Sequence, residues 1–358
     1  MPEFASIDAT PALVVDLAVL DRNITRMAES ARTRGLGLRP HAKTHKCIEI
    51  ARRQVDAGAV GLSVATVSEA EVFADAGFTD LFVAYPLWVD AARGARVRAL
   101  AERIRLTVGV DSADGARMLA RHAGTGAGVL VEIDSGHHRT GVPSDRADAV
   151  AGAACAAGLD VRGVFTFPGH AYGPGRPGAA AADEADALAA ASASLRRSST
   201  GPLIVSGGSS PTAPIGVASA ATELRPGVYV FGDAQQLELG VITGSDVALT
   251  ALATVVSARD DVVVLDAGSK TLGADRAPWA TGYGRILGVP DARIVALSEH
   301  HATVRWPGTA TRPGLGDRVR VVPNHVCNAV NLADDLVVVD SDGSTLDRWR
   351  VAARGCTT

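Results

Sequence analysis

The chain of 358 residues contains no run of eighteen apolar residues, and its first nine lack the basic stretch followed by an apolar one that marks a secretory leader. Both absences lead us to expect a soluble, cytoplasmic protein with no membrane partner. Cysteine is scarce: Cys47, Cys155, Cys327 and Cys356 lie far apart with no CxxC spacing, so neither a disulfide framework nor a zinc ribbon is indicated. The formal net charge is −4, which gives no general reason to expect nucleic acid as a partner. No GxGxxG follows the first apolar run, so an open dinucleotide-binding sheet lacks its usual signature.

What is present is a core-forming composition, 47% hydrophobic and 21% charged, in a chain long enough for a large domain and a smaller one. Short β-type runs at residues 36–38, 59–64, 80–85, 104–110, 128–133, 161–167, 203–206 and 224–231 alternate with alanine-rich amphipathic stretches such as 69–77, 89–103, 112–122, 145–158 and 179–195. Eight such alternations imply parallel pairing with right-handed crossovers, so the fold class is α/β, a (β/α)8 TIM-type barrel over residues 1–240. Beyond that point helical periodicity fades. Runs at 247–257, 261–265, 292–297, 302–306, 318–322, 336–339 and 349–352, separated by Gly, Pro and Asp turns, predict a C-terminal antiparallel β-domain over 241–358. The run at 12–15, ahead of a helix expected over 17–34, either begins the barrel or packs with the β-domain.

A barrel of this kind builds its site at the C-terminal ends of its strands, and the chemically unusual residues fall there. The octet Arg39-Pro40-His41-Ala42-Lys43-Thr44-His45-Lys46 directly follows the first barrel strand. Taken alone it reads first as a solvated basic loop or phosphate-binding patch, but a lysine held just past a buried strand is well placed for Schiff-base chemistry. The segment from Glu132 to Arg139 ends strand five, Pro168-Gly169-His170-Ala171-Tyr172 follows strand six, and Ser206-Gly207-Gly208-Ser209-Ser210 follows strand seven. Glycine amides and serine hydroxyls of the last loop suit a phosphate, although the loop alone is as plain a turn as any. Gly227 and Tyr229 supply the adjoining strand-eight wall. A lysine nucleophile, a phosphate cup and an aromatic loop together suggest pyridoxal 5′-phosphate (PLP).

Several elements carry a resemblance. The segment Thr10-Pro11-Ala12-Leu13-Val14-Val15-Asp16, the octet, Glu132-Ile133-Asp134-Ser135-Gly136 with Arg139-Thr140-Gly141, Gly169-His170-Ala171-Tyr172, the run from Ser206 to Thr212, and Pro323-Asn324-His325-Val326-Cys327 resemble the D-threonine aldolase and D-serine dehydratase family. The low-specificity D-threonine aldolase-like branch looks nearest. The resemblance implies an alanine-racemase-like barrel with a C-terminal β-domain, a homodimer, and PLP carried on Lys43 rather than Lys46. It places Arg139 near the cofactor's phenolic oxygen, Tyr172 near its ring nitrogen, and the loop of Ser206, Gly207, Gly208 and Ser209 around its phosphate.

His325 and Cys327 stand at i and i+2, so in an extended segment both emerge on one face. Two ligands make an incomplete metal site, and by themselves the pair reads first as a buried cysteine beside an incidental histidine. The resemblance implies a divalent cation there. Softness favours zinc, with manganese or magnesium used by relatives that carry a carboxylate in place of the cysteine. The implied activity is cleavage of D-3-hydroxy-α-amino acids, D-threonine or D-allothreonine giving glycine and an aldehyde. The alternatives are dehydration of D-serine or a related D-3-hydroxy amino acid to a keto acid and ammonia, an amino-acid racemase, and a non-catalytic PLP carrier. His170 is a candidate acid or base near the β-oxygen, or a brace for its loop. His137-His138 and Ser298-Glu299-His300-His301 depart from the family pattern and read as surface residues.

Overall fold

The computed structural model describes Phe4 and residues 6–196, 201–215 and 220–358. Strand β1 (Ala12–Asp16) runs straight into the long helix α1 (Leu17–Thr33). There follow β2 (Gly37–Leu38), α2 (Ile48–Asp56), β3 (Leu62–Val64), α3 (Val67–Asp75), β4 (Asp80–Pro86), α4 (Ala91–Ala101), β5 (Arg105–Val110) and α5 (Ala113–Ala123). The beat continues with β6 (Gly128–Ile133), α6 (Ala147–Ala156), β7 (Asp160–Thr166), α7 (Pro177–Arg196), β8 (Ile204–Gly207) and β9 (Glu223–Leu224). Helix starts are set by short polar side chains: Thr66, Asp90 and Ser112 each accept the backbone N–H three residues on, at the heads of α3, α4 and α5.

Strands β2 to β9 form one all-parallel sheet in the order β2-β9-β8-β7-β6-β5-β4-β3. Its ends meet: His41 bridges Ser63, Val60 N–H donates to Leu38 O at 2.8 Å, and Ser63 N–H to Pro40 O at 2.8 Å. The expected eight-stranded barrel is therefore present. Strand eight is shorter than the expected 224–231, ending at Leu224, with a 3-10 turn at Val228–Val230. Pro226 has no N–H to offer the ladder, which stops extended pairing there.

Four strand ends carry the segments named above. The barrel's interior is not wholly apolar: the buried Arg225 guanidinium lies over Phe82 (5.5 Å to the ring centroid) and Phe165 (5.2 Å) and donates to Ser206 Oγ (2.8 Å) and Thr166 O. Arg39, also buried, ties Glu223 (3.0 Å) to Asp80 (2.6 Å).

The second part of the chain contains α8 (Ala234–Glu238), β10 (Leu249–Arg259), β11 (Val262–Leu265), α9 (Ser269–Leu272), β12 (Gly284–Ile286), β13 (Val289–Leu297), β14 (Ala302–Arg305), β15 (Arg318–Pro323), α10 (Val326–Leu332), β16 (Asp335–Val339) and β17 (Thr345–Arg350). Strands β10, β11, β14, β13, β12 and β15 pair antiparallel in a closed ring. The run at 12–15 belongs to this sheet, since β1 pairs antiparallel with β10 (Leu13 opposite Ala251) and parallel with β16 (Val14 opposite Val337). Val14, Leu252, Val337 and Val339 close a small core there with Phe4 and Ile7.

The chain divides into two compact units that do not meet at 240/241. One holds Met27–Lys43, Cys356–Thr358 and the described residues of Ala51–Gly227; the other holds the described residues up to Arg26, Thr44–Ile50 and Val228–Gly355. The start of α1 joins the latter through specific bonds. Asn23 Nδ2 donates to Val230 O (3.2 Å) and Asp246 O (2.8 Å), and Arg26 pairs with Asp246 at 2.8 Å. Among the described residues no helix is long and apolar enough to cross a membrane.

Candidate active site

Lys43 stands in a 3-10 turn, Ala42–Thr44, just beyond β2. Its Nζ lies 5.7 Å from the centroid of Phe167, the residue that follows β7. The same ring gathers three more groups: the Arg139 guanidinium at 5.2 Å, Tyr172 at 6.0 Å between centroids, and His137 edge-on at 5.6 Å. Lys43, Arg139 and Tyr172 come from three different strand ends and meet on one aromatic side chain. Lys46 is placed otherwise, its Nζ donating to Asn331 Oδ1 at 2.7 Å.

In the loop after β6, Asp134 is held by groups other than Arg139, while the Arg139 charge acts on the buried Glu132. Asp134 accepts the N–H groups of Gly136 (2.9 Å) and His138 (3.0 Å) and pairs with His138 Nδ1 (2.7 Å). Burial opposes ionisation of Asp134, but these bonds outweigh it and hold its carboxyl below the usual range. Its carboxylate is thus engaged by His138, not Arg139. His138 is exposed, as are His300 and His301, in keeping with a surface reading. His137 corrects that reading. It is half-buried on Phe167, and burial, then the charges of Arg139 and His170, lower its pKa, so it is neutral at pH 7. His170 sits with Nε2 3.2 Å from Asp183 Oδ2, while its buried Nδ1 has no hydrogen-bond partner among the described residues.

The Ser206–Ser209 loop is bonded inwardly. Ser206 Oγ donates to Glu223 Oε1 (2.7 Å) and accepts from Arg225; Ser209 N–H donates to Thr212 Oγ1 (2.9 Å); Gly208 N–H donates to the buried Glu184 of α7. Gly208 has φ +84, a conformation that favours glycine. A Cβ at Gly207 would stand 2.5 Å from Glu184 Oε1, so close approach of that carboxylate, and not of an anion alone, requires glycine there. Gly227 ends the first unit, and Tyr229 is buried in the 3-10 turn of the second.

Burial raises the Glu184 pKa from 4.5 to about 6 despite the bonds from Gly208 and Thr212 and the charges of Arg225 and Arg34. A carboxyl whose folded pKa is raised contributes stability fully below its unfolded value, and that contribution is lost as pH rises through the folded one. The change is about 2 kcal/mol. Relative to Glu184→Gln, the wild-type protein should therefore lose about 2 kcal/mol of unfolding free energy between roughly pH 4 and 7. Denaturant unfolding at several pH values measures it, and a pH-independent difference would refute it.

In the second unit, His325 and Cys327 are not in an extended strand. His325 caps α10 and Cys327 lies in its first turn, yet the two side chains are still hydrogen-bonded. Asp233, buried at the head of α8, sets this geometry by accepting both Gln236 N–H (2.9 Å) and Val326 N–H (3.3 Å). Asp275 Oδ2 accepts from His325 Nδ1 at 2.5 Å, and the Cys327 thiol donates to Thr44 Oγ1 at 3.3 Å. Burial disfavours the His325 cation, but Cys327, Asp233 and Asp275 overcome this and push its pKa up to about 10.

Among the described residues no three His, Cys, Asp or Glu side chains converge to hold a metal. The donor chemistry nevertheless fits one. A carboxylate on Nδ1 orients the ring, the usual arrangement behind a metal-bound histidine, and a sulfur lies beside it; a bound cation would displace the proton from the other ring nitrogen. PLP is likewise fitted by the amine, the guanidinium and the phenol around Phe167.

Sequence reasoning missed Phe167, Glu184, Asp233 and Asp275. The alternation Phe165-Thr166-Phe167 signalled a strand, not a hub, and Asp233 before a short helix is a capping signal that could have been read.

Residues 15–235 match the family model for the alanine racemase N-terminal domain, and residues 248–339 that for a putative serine dehydratase domain. The protein is thus a fold-type III PLP enzyme of the alanine-racemase-like class. D-Threonine aldolase of Arthrobacter sp. is 37% identical, with 97% of this chain and 93% of that one covered. The solved D-threonine aldolase from Filomicrobium marinum is 33% identical with a TM-score of 0.86, covering 98% of this chain and 97% of that one. D-threo-3-hydroxyaspartate dehydratase from Delftia sp. HT23 is 31% identical with a TM-score of 0.88, covering 98% and 99%; its solved forms include a histidine-to-alanine mutant and a cysteine-to-alanine mutant in the metal-free form. Within its class the chain belongs to the family of D-threonine aldolase and D-3-hydroxyaspartate dehydratase, and it is a lyase.

Proposed function

We propose that the protein splits D-3-hydroxy-α-amino acids such as D-threonine or D-allothreonine into glycine and an aldehyde, with PLP on Lys43 and a divalent cation, zinc first, on His325 and Cys327. The observation that carries the reading is the meeting of Lys43, Arg139 and Tyr172 on Phe167. PLP, when bound, supplies the electron sink for cleavage at Cα, and the cation a Lewis acid that acidifies a hydroxyl.

The chain's own groups do the rest. Lys43 Nζ supplies the amine that holds the cofactor and, once released, takes or returns a proton. Arg139, on the same ring as that amine, supplies a fixed positive charge for the cofactor's phenolic oxygen. The Tyr172 hydroxyl can hydrogen-bond a ring nitrogen without protonating it. His170, steadied by Asp183, keeps Nδ1 for a proton transfer near the β-oxygen. The loop from Ser206 to Ser209, with Gly227 and Tyr229 beyond it, is assigned to the phosphate.

Dehydration to a keto acid is the second reading. It is favoured by the histidine and cysteine mutated in the Delftia dehydratase, which stand two residues apart in that chain, as His325 and Cys327 do here. Incubating metal-loaded protein with D-threonine, D-allothreonine and D-serine, and scoring glycine, aldehyde and keto acid separately, tests both. Glycine with acetaldehyde supports cleavage; keto acid with ammonia would replace it by the dehydratase reading. The resemblance further implies a homodimer, so sedimentation should give twice the chain mass, and a fully active monomer would remove that expectation.

A further inference from the structure

Helix α7 is built of alanine on its buried side, with Ala180, Ala181, Ala185, Leu188 and Ala191 all turned inward. Glu184 interrupts that side. It is 7% exposed, and a carboxylate so placed is costly unless its oxygens are bonded. Here they are bonded to one loop. Oε1 accepts the Gly208 N–H, Thr212 donates its hydroxyl to the same carboxyl, and Thr212 Oγ1 in turn accepts Ser209 N–H at 2.9 Å.

The side chain thus begins a relay running Glu184, Thr212, Ser209 along the turn after β8. Arg34, which donates to Ala213 O at 2.6 Å, and the buried Arg225 supply the facing positive charges. None of these bonds belongs to the chemistry assigned to Lys43, Arg139 or Tyr172.

Resting on the PLP reading above, we propose that Glu184 is a positioning residue for the cofactor's phosphate: through Gly208 and Thr212 it holds the Ser206–Thr212 turn in its anion-binding shape. The cofactor's affinity then depends on Glu184 only so far as it depends on the phosphate. Pyridoxal, which lacks that group, separates this role from a merely structural one. Beside the carboxylate lies a cavity of about 30 Å³, lined by Arg34, Gly208, Thr212 and Leu224 among others. That is room for about one water beside the carboxylate.

The test is to titrate apo wild type, Glu184→Ala and Glu184→Gln with PLP and with pyridoxal, following absorbance, with circular dichroism as the check on folding. Expected results are a PLP dissociation constant at least about tenfold weaker in the alanine variant, a pyridoxal constant changed less than about twofold, and near-normal values in the glutamine variant, whose carbonyl still accepts. If the alanine variant does not fold, Glu184→Asp, which withdraws the carboxylate by one methylene, is read in the same way. Equal weakening of both ligands, or of neither, overturns the inference while leaving the PLP reading intact. Failure of the wild type itself to bind PLP overturns that reading and the inference with it.

Discussion

Replacing Lys43 by alanine is expected to abolish the visible absorbance that PLP acquires when linked to an amine, and to lower turnover by more than about 10³-fold. Lys46→Ala should keep the absorbance. The two lysines are three residues apart in one octet, but their surroundings differ. Lys46 is buried with its ammonium on Asn331 Oδ1 at 2.7 Å, a contact that leaves it committed to α10. Lys43 reaches over Phe167, where Arg139 and Tyr172 also converge. Borohydride reduction followed by peptide mapping locates the modified residue. A pyridoxyl group on Lys46 would overturn the assignment.

Chelation, or His325→Ala, should eliminate cleavage of D-threonine while cofactor absorbance persists, since Lys43 is untouched. Loss of a Lewis acid worth several kcal/mol corresponds to roughly 10³-fold in rate. Cys327→Asp should retain some turnover and shift the preference from zinc toward manganese or magnesium, because a hard carboxylate replaces a soft thiolate. Asp275→Asn, which weakens the carboxylate on His325 Nδ1, should lower metal affinity by about 10- to 100-fold, read directly by metal titration. Full activity after exhaustive chelation, with metal content confirmed near zero, would show that His325 and Cys327 hold no catalytic metal and are only structural.

The barrel was legible because each strand of a parallel sheet is buried on both faces and each helix repeats its apolar side, so period and spacing survive in the sequence. The run 128–133, for example, is buried at every position in β6. Two elements were misread for local reasons. Residues 224–231 look like one apolar strand, but Arg225 is drawn inward over Phe82 and Phe165 and Pro226 ends the pairing. Residues 323–327 look extended, but Asp233, ninety-odd positions earlier, captures Val326 N–H and starts a helix there.

The site was legible at its chemical groups and not at their supports. A lysine, an arginine or a histidine–cysteine pair announces itself by type, whereas Phe167 and Glu184 carry types common in any strand or helix. Their roles come from what lies across from them. His137 shows the converse: its type suggested solvent, and its position beside Phe167 gave it an aromatic wall.

The pairing of β1 bears on how the protein is made. Strand β1 finds its antiparallel neighbour only at residues 249–252 and its parallel one only at residues 337–339. The intervening β2 to β9 ring closes on partners made earlier, so it can assemble while the segment at 12–16 waits with both edges open. Contacts of such sequence separation form slowly, and an unpaired apolar edge is open to other chains in the meantime. Yield on overexpression should therefore respond more to polar changes at Leu13 or Val15, or to slower synthesis, than the small size of that strand suggests.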